Sequence, residues 1–138
     1  GVKDVDVYMP AAMQNDVKME SAEKIAKSGV KYYIEVANMP TKAEAVEELQ
    51  KAGFMIAPSK AVNAGGVAVS ALEMSQNAMK LSWTEEEVDE KLKKIMKNIF
   101  NNIDSAAKKY GMDGNLIAGA NIAGFLKVAE AMLNEGIF

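Results

Sequence analysis

The chain has 138 residues, 49% hydrophobic and 25% charged, which suits one folded domain or one substantial piece of a longer chain and excludes wholesale disorder. Its net charge is −3 and its 16 cationic side chains are all lysine, so the basic, arginine-bearing face of a nucleic-acid or anionic-membrane binder is not expected. Without Cys or His, this chain alone builds no disulfide, thiolate site, common zinc site or Ser–His–Asp triad, and any acid–base group must be Asp, Glu, Lys or Tyr. No apolar run is expected to approach the ~20 residues of a transmembrane helix, Gly1 opens no signal peptide, and a cytoplasmic setting is expected.

In chain order, "VDVYM" (5–9) alternates polar and apolar residues and predicts a strand ending at Pro10. "MESAEKIAKSG" predicts a short helix closed by Gly29. "VKYYIEVA" is β-branched and aromatic and predicts a second strand running to Asn38. "MPTKAEAVEELQKAG" predicts a helix with Thr41 as N-cap, Glu44 completing a capping box and Gly53 as its stop. "FMIAP" is a third, fully apolar strand. Strands alternating with helices in this way imply three neighbouring parallel strands joined by crossovers.

After Val62 the strand signal does not return. Residues 63–82 read as one helix. A second, opening on a Thr84/Glu87 capping box, carries an apolar stripe through Val88, Leu92, Ile95, Ile99, Ile103, Ala106 and Tyr110. A third is capped by Asn115 and ends at Gly136. The expected fold class is α/β: the second half of a Rossmann-like doubly wound sheet, followed by three C-terminal helices. Residues 1–62 form the partial dinucleotide-binding domain and 63–138 a helical segment packed on it. Three strands are few for such a sheet, and its glycine-rich phosphate turn belongs to the first half, so a fragment is expected. Gly119 and Gly124 do not supply that turn, because they fall inside a helix.

Ligands of open α/β sheets bind beyond the carboxyl ends of the strands. Each predicted strand here is followed by a neutral amide: Gln14 and Asn15, then Asn38, then Asn63. Such amides donate and accept hydrogen bonds to a ribose or carboxamide, or else simply make turns and caps. The next helix places Asn63, Gly66/Val67, Ser70, Met74 and Asn77 on one face at three- or four-residue intervals. Two adjacent glycines near a helix start cost up to about 2 kcal/mol, so Gly65 and Gly66 point to a close approach by a ligand or another backbone. Ser70 can donate to a carboxylate or bond its own preceding turn. Elsewhere, the ten methionines read mainly as core filler, "EEEVDEKLKK" as a solvated face, Lys60 as a surface lysine in the loop before the glycine pair, "AGANIAGF" (118–125) as small residues for a close helix contact, and Asn121 within it as a satisfied buried polar residue.

These stretches together resemble the C-terminal part of glutamate dehydrogenase of the bacterial hexameric type. The match is carried, in order, by "DVYMPAAMQND", "YYIEVANMPT", "APSKAVNAGGVAVSALEMSQN", "LSWTEEEVDEKL" and "NLIAGANIAGF", and covers essentially the whole chain. "NAGGV" is shared with leucine, valine and phenylalanine dehydrogenases, whereas Ser70 followed by "ALEMSQN" points to the glutamate enzyme. The resemblance implies that Ser70 helps bind the substrate's side-chain carboxylate with Val67 beside it. It also implies that Asn63 lies near the nicotinamide, Asn38 near its ribose, and Ala12 and Gln14 along the dinucleotide groove. Many relatives read "EGANMP" where this chain has Val36, so this strand end is expected to fit its cofactor differently.

The implied reaction is reversible oxidative deamination of L-glutamate to 2-oxoglutarate and ammonia, with hydride passing to NAD or NADP. The family's catalytic Lys and Asp belong to sequence before Gly1, so no catalytic residue and no metal site is assigned here. The implied partners are the missing N-terminal part of the same enzyme and further subunits of a homohexamer, with neither nucleic acid nor membrane. A leucine, phenylalanine or valine dehydrogenase and a stand-alone nucleotide-binding module remain the alternatives.

Overall fold

A computed structural model of the chain describes residues 5–136; the chain opening at Gly1 lies outside them. The elements run β1 (Val7–Tyr8), α1 (Met19–Ala26), β2 (Tyr32–Ile34), α2 (Ala43–Lys51), β3 (Ile56–Ala57), α3 (Ser59–Val62), α4 (Ala64–Met79), α5 (Glu85–Lys109) and α6 (Leu116–Glu135). The strands form one parallel sheet in the order β1-β2-β3, with Val7 opposite Tyr32 and Tyr33 opposite Ile56. This is the expected α/β fold with three parallel strands, but the regular ladder is only two or three residues long in each strand. Beyond it the loops are knitted by irregular backbone bonds instead.

The core of the sheet half is Val17, Ala22, Ile25, Tyr33, Ala45, Leu49 and Ile56, with Ile117 of α6 packed against it. It forms because α1 and α2 each present one apolar stripe, Ala22/Ile25 and Ala45/Leu49, to the same layer. Gly29 and Gly53 stop these helices in the left-handed region, at φ +81° and +87°. Tyr33, fully buried, stacks on Tyr8 with ring centroids 5.5 Å apart, and its hydroxyl lies 2.7 Å from that of Thr41. That bond corrects one expectation. Thr41 does not cap α2, whose N-cap is Lys42 without a side-chain bond, because its hydroxyl satisfies the buried phenol instead.

Burial pushes the Tyr33 phenol up to about 12, the bond to Thr41 pulling the other way. Between roughly pH 10 and 12 the unfolded chain therefore ionises this group while the folded chain keeps it protonated. Stability should be unaffected below that window and fall across it by up to about 2–3 kcal/mol. Tyr33→Phe should flatten the fall while costing about 1 kcal/mol at neutral pH for the stranded Thr41 hydroxyl. Urea titrations at about pH 9 and about pH 11.5 read both effects, and an equally steep loss in the variant would refute the assignment.

In the helical half, the Thr84/Glu87 capping box forms as expected, and Asn115 caps α6 by accepting from the Ala118 N–H at 3.0 Å. The α5 stripe turns inward along its length, ending in buried Ile103 and Ala106, while Tyr110 emerges to solvent at 47% exposure. The predicted single helix over 63–82 forms as α4, which starts after Asn63 and is ended by Lys80 at φ 55°; the short α3 just before it was not expected. Two expectations about apolar residues fail. Eight of the ten methionines are exposed rather than core filler, Met13 and Met74 at 68% each. Against the expectation that no apolar run approaches a transmembrane helix, α6 is long enough and on average apolar enough to cross a bilayer. It owes that character to the face applied to α5, where Leu116 and Gly119 are buried, and to an exposed row including Phe125 and Leu133.

Candidate functional site at the carboxyl ends of the strands

The loops that leave β1, β2 and β3 meet on one rim. The Val36 and Ala37 N–H groups both donate to the Pro10 carbonyl (3.1 and 3.0 Å), and the Asn15 N–H donates to the Met39 carbonyl at 3.0 Å. Val17 donates to Pro40 and its own carbonyl accepts from Lys42, closing the first loop onto the second. The second loop reaches the third through the Met39 N–H, which points to the Ser59 hydroxyl at 3.4 Å. Asn15 and Met39 both have positive φ, 58° and 46°. Asn tolerates that conformation; a methionine directly before a proline rarely adopts it, and it persists only where neighbours over-determine it.

This rim carries Ala12 and Gln14 from the first loop, Asn38 from the second and Asn63 from the third, and all four are exposed. Asn63 sits between α3 and α4, its N–H donating to the Ser59 carbonyl at 3.0 Å. From there the α4 face continues outward: Gly66, Val67, Ser70, Met74 and Asn77 are all exposed, Val67 at 72%. Ser70 donates to the Gly66 carbonyl at 3.2 Å, the local bond weighed as its alternative role, and Asn77 donates to the Glu73 carboxylate.

The glycine pair is not explained by packing among the described residues. A Cβ on Gly65 would make ordinary contact with Leu92 and Met96 at 3.5 Å, and one on Gly66 would meet nothing within 4 Å. Neither glycine has a positive φ, so the backbone does not require them either. The space over Gly66 opens outward, on the same side as Ser70.

Two polar residues stand differently from expectation. Asn121 is exposed rather than buried, and its side-chain carbonyl accepts from Lys60 Nζ at 2.5 Å. Lys60, placed on α3 rather than in a loop, is exposed as expected and spends its charge on this contact between α3 and α6. The residue that sequence reasoning passed over is Glu35. It is only 6% exposed, and its Oε2 accepts the Ser59 backbone N–H at 3.1 Å. A signal existed, since Glu35 is the one charge in the strand "YYIEVA" and shares its face with buried Tyr33 two residues earlier.

Chemically, the rim offers amides, a hydroxyl and backbone groups. These can orient a polar ligand but move no proton at neutral pH. Among the described residues no group of three or more His, Cys, Asp or Glu could hold a metal ion.

The family model described as Glutamate/Leucine/Phenylalanine/Valine dehydrogenase matches residues 2–136. The NAD-specific glutamate dehydrogenase of Clostridium symbiosum is 58% identical over 134 residues, 96% of this chain and 30% of its own length. The NADP-specific glutamate dehydrogenase of Giardia intestinalis is 52% identical over 132 residues, 96% of this chain and 29% of its own length. A solved glutamate dehydrogenase superimposes with a TM-score of 0.91 at 57% identity, covering 96% of this chain and 30% of that structure. The chain thus spans about 30% of the length of the curated relatives it matches.

Proposed function

The chain belongs to the glutamate/leucine/phenylalanine/valine dehydrogenase family, and on that premise we propose that it forms the cofactor-groove and side-chain-carboxylate part of an NAD(P)-dependent glutamate dehydrogenase. The reaction is the reversible conversion of L-glutamate, water and oxidised dinucleotide to 2-oxoglutarate, ammonium, reduced dinucleotide and a proton. The bound nicotinamide supplies the hydride acceptor. The chain's own residues bind and orient. Asn63 hydrogen-bonds the nicotinamide end and Asn38 the ribose, while Ala12 and Gln14 line the groove that holds the rest. Ser70 turns its hydroxyl from the Gly66 carbonyl to the substrate's side-chain carboxylate, exchanging a neutral bond for a charge-assisted one, which is about twice as strong. Val67 walls the same pocket. The groups that move protons come from outside these 138 residues, as do the further subunits of a hexamer.

The observation that carries this reading is the open space over Gly66 beside Ser70, which no neighbour among the described residues uses. Gly66→Ala separates function from stability. In the folded chain the added methyl meets nothing and improves helix propensity, so stability should rise by up to about 1 kcal/mol. In the full-length enzyme the same methyl occupies substrate space, and overpacking of about 1–3 kcal/mol should raise the KM for glutamate tenfold or more. Steady-state kinetics with glutamate and leucine, beside a thermal melt, check it. A variant with parental KM, or an enzyme that prefers leucine, sinks the reading.

A further inference from the structure

We propose that Glu35 is the positioning residue of the cofactor groove: its buried carboxylate holds the ends of β2 and β3 in the register that presents Asn38 and Asn63 together. This rests on the reading of that groove given above.

Three observations converge on Glu35. It is buried and charged, and its Oε2 takes the N–H of Ser59, itself buried, at 3.1 Å. A buried carboxylate is costly to keep unless its bonds do something an apolar side chain cannot. Secondly, Ser59 is a junction. Its hydroxyl faces the Met39 N–H at 3.4 Å and its carbonyl accepts the Asn63 N–H at 3.0 Å. Glu35, which also donates its own N–H to the Ala57 carbonyl at 3.0 Å, therefore reaches both amide-bearing loops through one residue. Thirdly, Met39, adjacent to Asn38, is held at φ 46° in front of Pro40. A conformation that strained needs fixed partners, and Ser59, anchored by Glu35, is one of two, beside the Asn15 N–H that donates to the Met39 carbonyl.

No part of this requires Glu35 to touch a ligand. It acts through Ser59, so what matters is an acceptor oxygen at that spot and not the negative charge. Glu35→Ala leaves the Ser59 N–H buried without an acceptor and frees the junction. Glu35→Gln keeps an amide oxygen that accepts the same bond.

The test uses the full-length enzyme and reads the dissociation constant of reduced dinucleotide by its fluorescence, together with the KM values for dinucleotide and for glutamate. Leaving the buried Ser59 N–H without an acceptor should cost Glu35→Ala about tenfold or more in dinucleotide affinity, with the KM for glutamate moving less than about threefold. Glu35→Gln should recover affinity to within about threefold of the parent, and Ser59→Ala, which removes only the Met39 contact, should lose about two- to fivefold. If Glu35→Ala does not fold, the Glu35→Gln and Ser59→Ala pair decides by the same numbers. Parental affinity in folded Glu35→Ala, a Glu35→Gln as weak as Glu35→Ala, or a defect confined to glutamate would each overturn the proposal. Glutamate turnover by the unsubstituted enzyme separately tests the underlying reading.

Discussion

Gly119→Ala should be the most damaging single-methyl substitution in the helical half of the chain. A Cβ built at Gly119 stands 2.3 Å from the Ile103 carbonyl oxygen, 2.9 Å from Ile103 Cγ2 and 3.1 Å from Ala107 Cβ. The first contact is with backbone in the interior of α5, which has no rotamer to change. The helices must separate, and that also unpacks Ile103, Ala107 and Leu116, all buried. Overpacking costs about 1–3 kcal/mol when side chains can shift; against rigid backbone, about 3–5 kcal/mol is expected. Gly124, five residues on in the same helix, is the control, since a Cβ there meets nothing within 4 Å. Gly124→Ala should be neutral or stabilising by up to about 1 kcal/mol. Denaturant titrations of the two variants measure the difference directly, and equal midpoints would refute the close contact.

Gly119 also illustrates what could be read in advance. The small residues of "AGANIAGF" predict a close helix contact, but spacing alone does not say which glycine makes it; that depends on where α5 crosses α6. Local rules held where the partner is also local. The Thr84/Glu87 box and the Asn115 cap need only their own first turn, and both form. Thr41 fails the same rule because a non-local competitor, the Tyr33 phenol, reaches its hydroxyl first. The methionines fail for another reason: apolar spacing marks a face that seeks cover without saying whether this chain provides it, and eight of these side chains lie exposed. At the rim, periodicity correctly gathers Asn63, Gly66, Val67 and Ser70 on one exposed face. Strand alternation puts Glu35 on the buried face of Tyr33, but it does not name the partner, which lies 24 positions away.

Purified on its own, the 138-residue chain should show no measurable glutamate dehydrogenase activity. Amides and a hydroxyl such as those of the rim can hydrogen-bond a ligand, but none of them can take a proton from an ammonium group or from water at neutral pH. Lys60, the lysine nearest the glycine pair in sequence, is committed to Asn121, and Glu35 is buried against the Ser59 N–H. General acid–base catalysis contributes about 10²–10⁴ in rate, and orientation between groups on two facing surfaces contributes more. A chain offering one of those surfaces should therefore fall at least about 10⁴-fold below a full-length enzyme. The measurement is glutamate-dependent formation of reduced dinucleotide, at saturating NAD and then NADP, by material freed of host dehydrogenase. Activity within about a hundredfold of a full-length relative, co-purifying with the chain, would mean that a proton-transfer group lies inside these residues after all. Lys60 would then be the first position to substitute, because it is the lysine nearest the glycine pair in sequence and is held by a single side-chain contact, to Asn121.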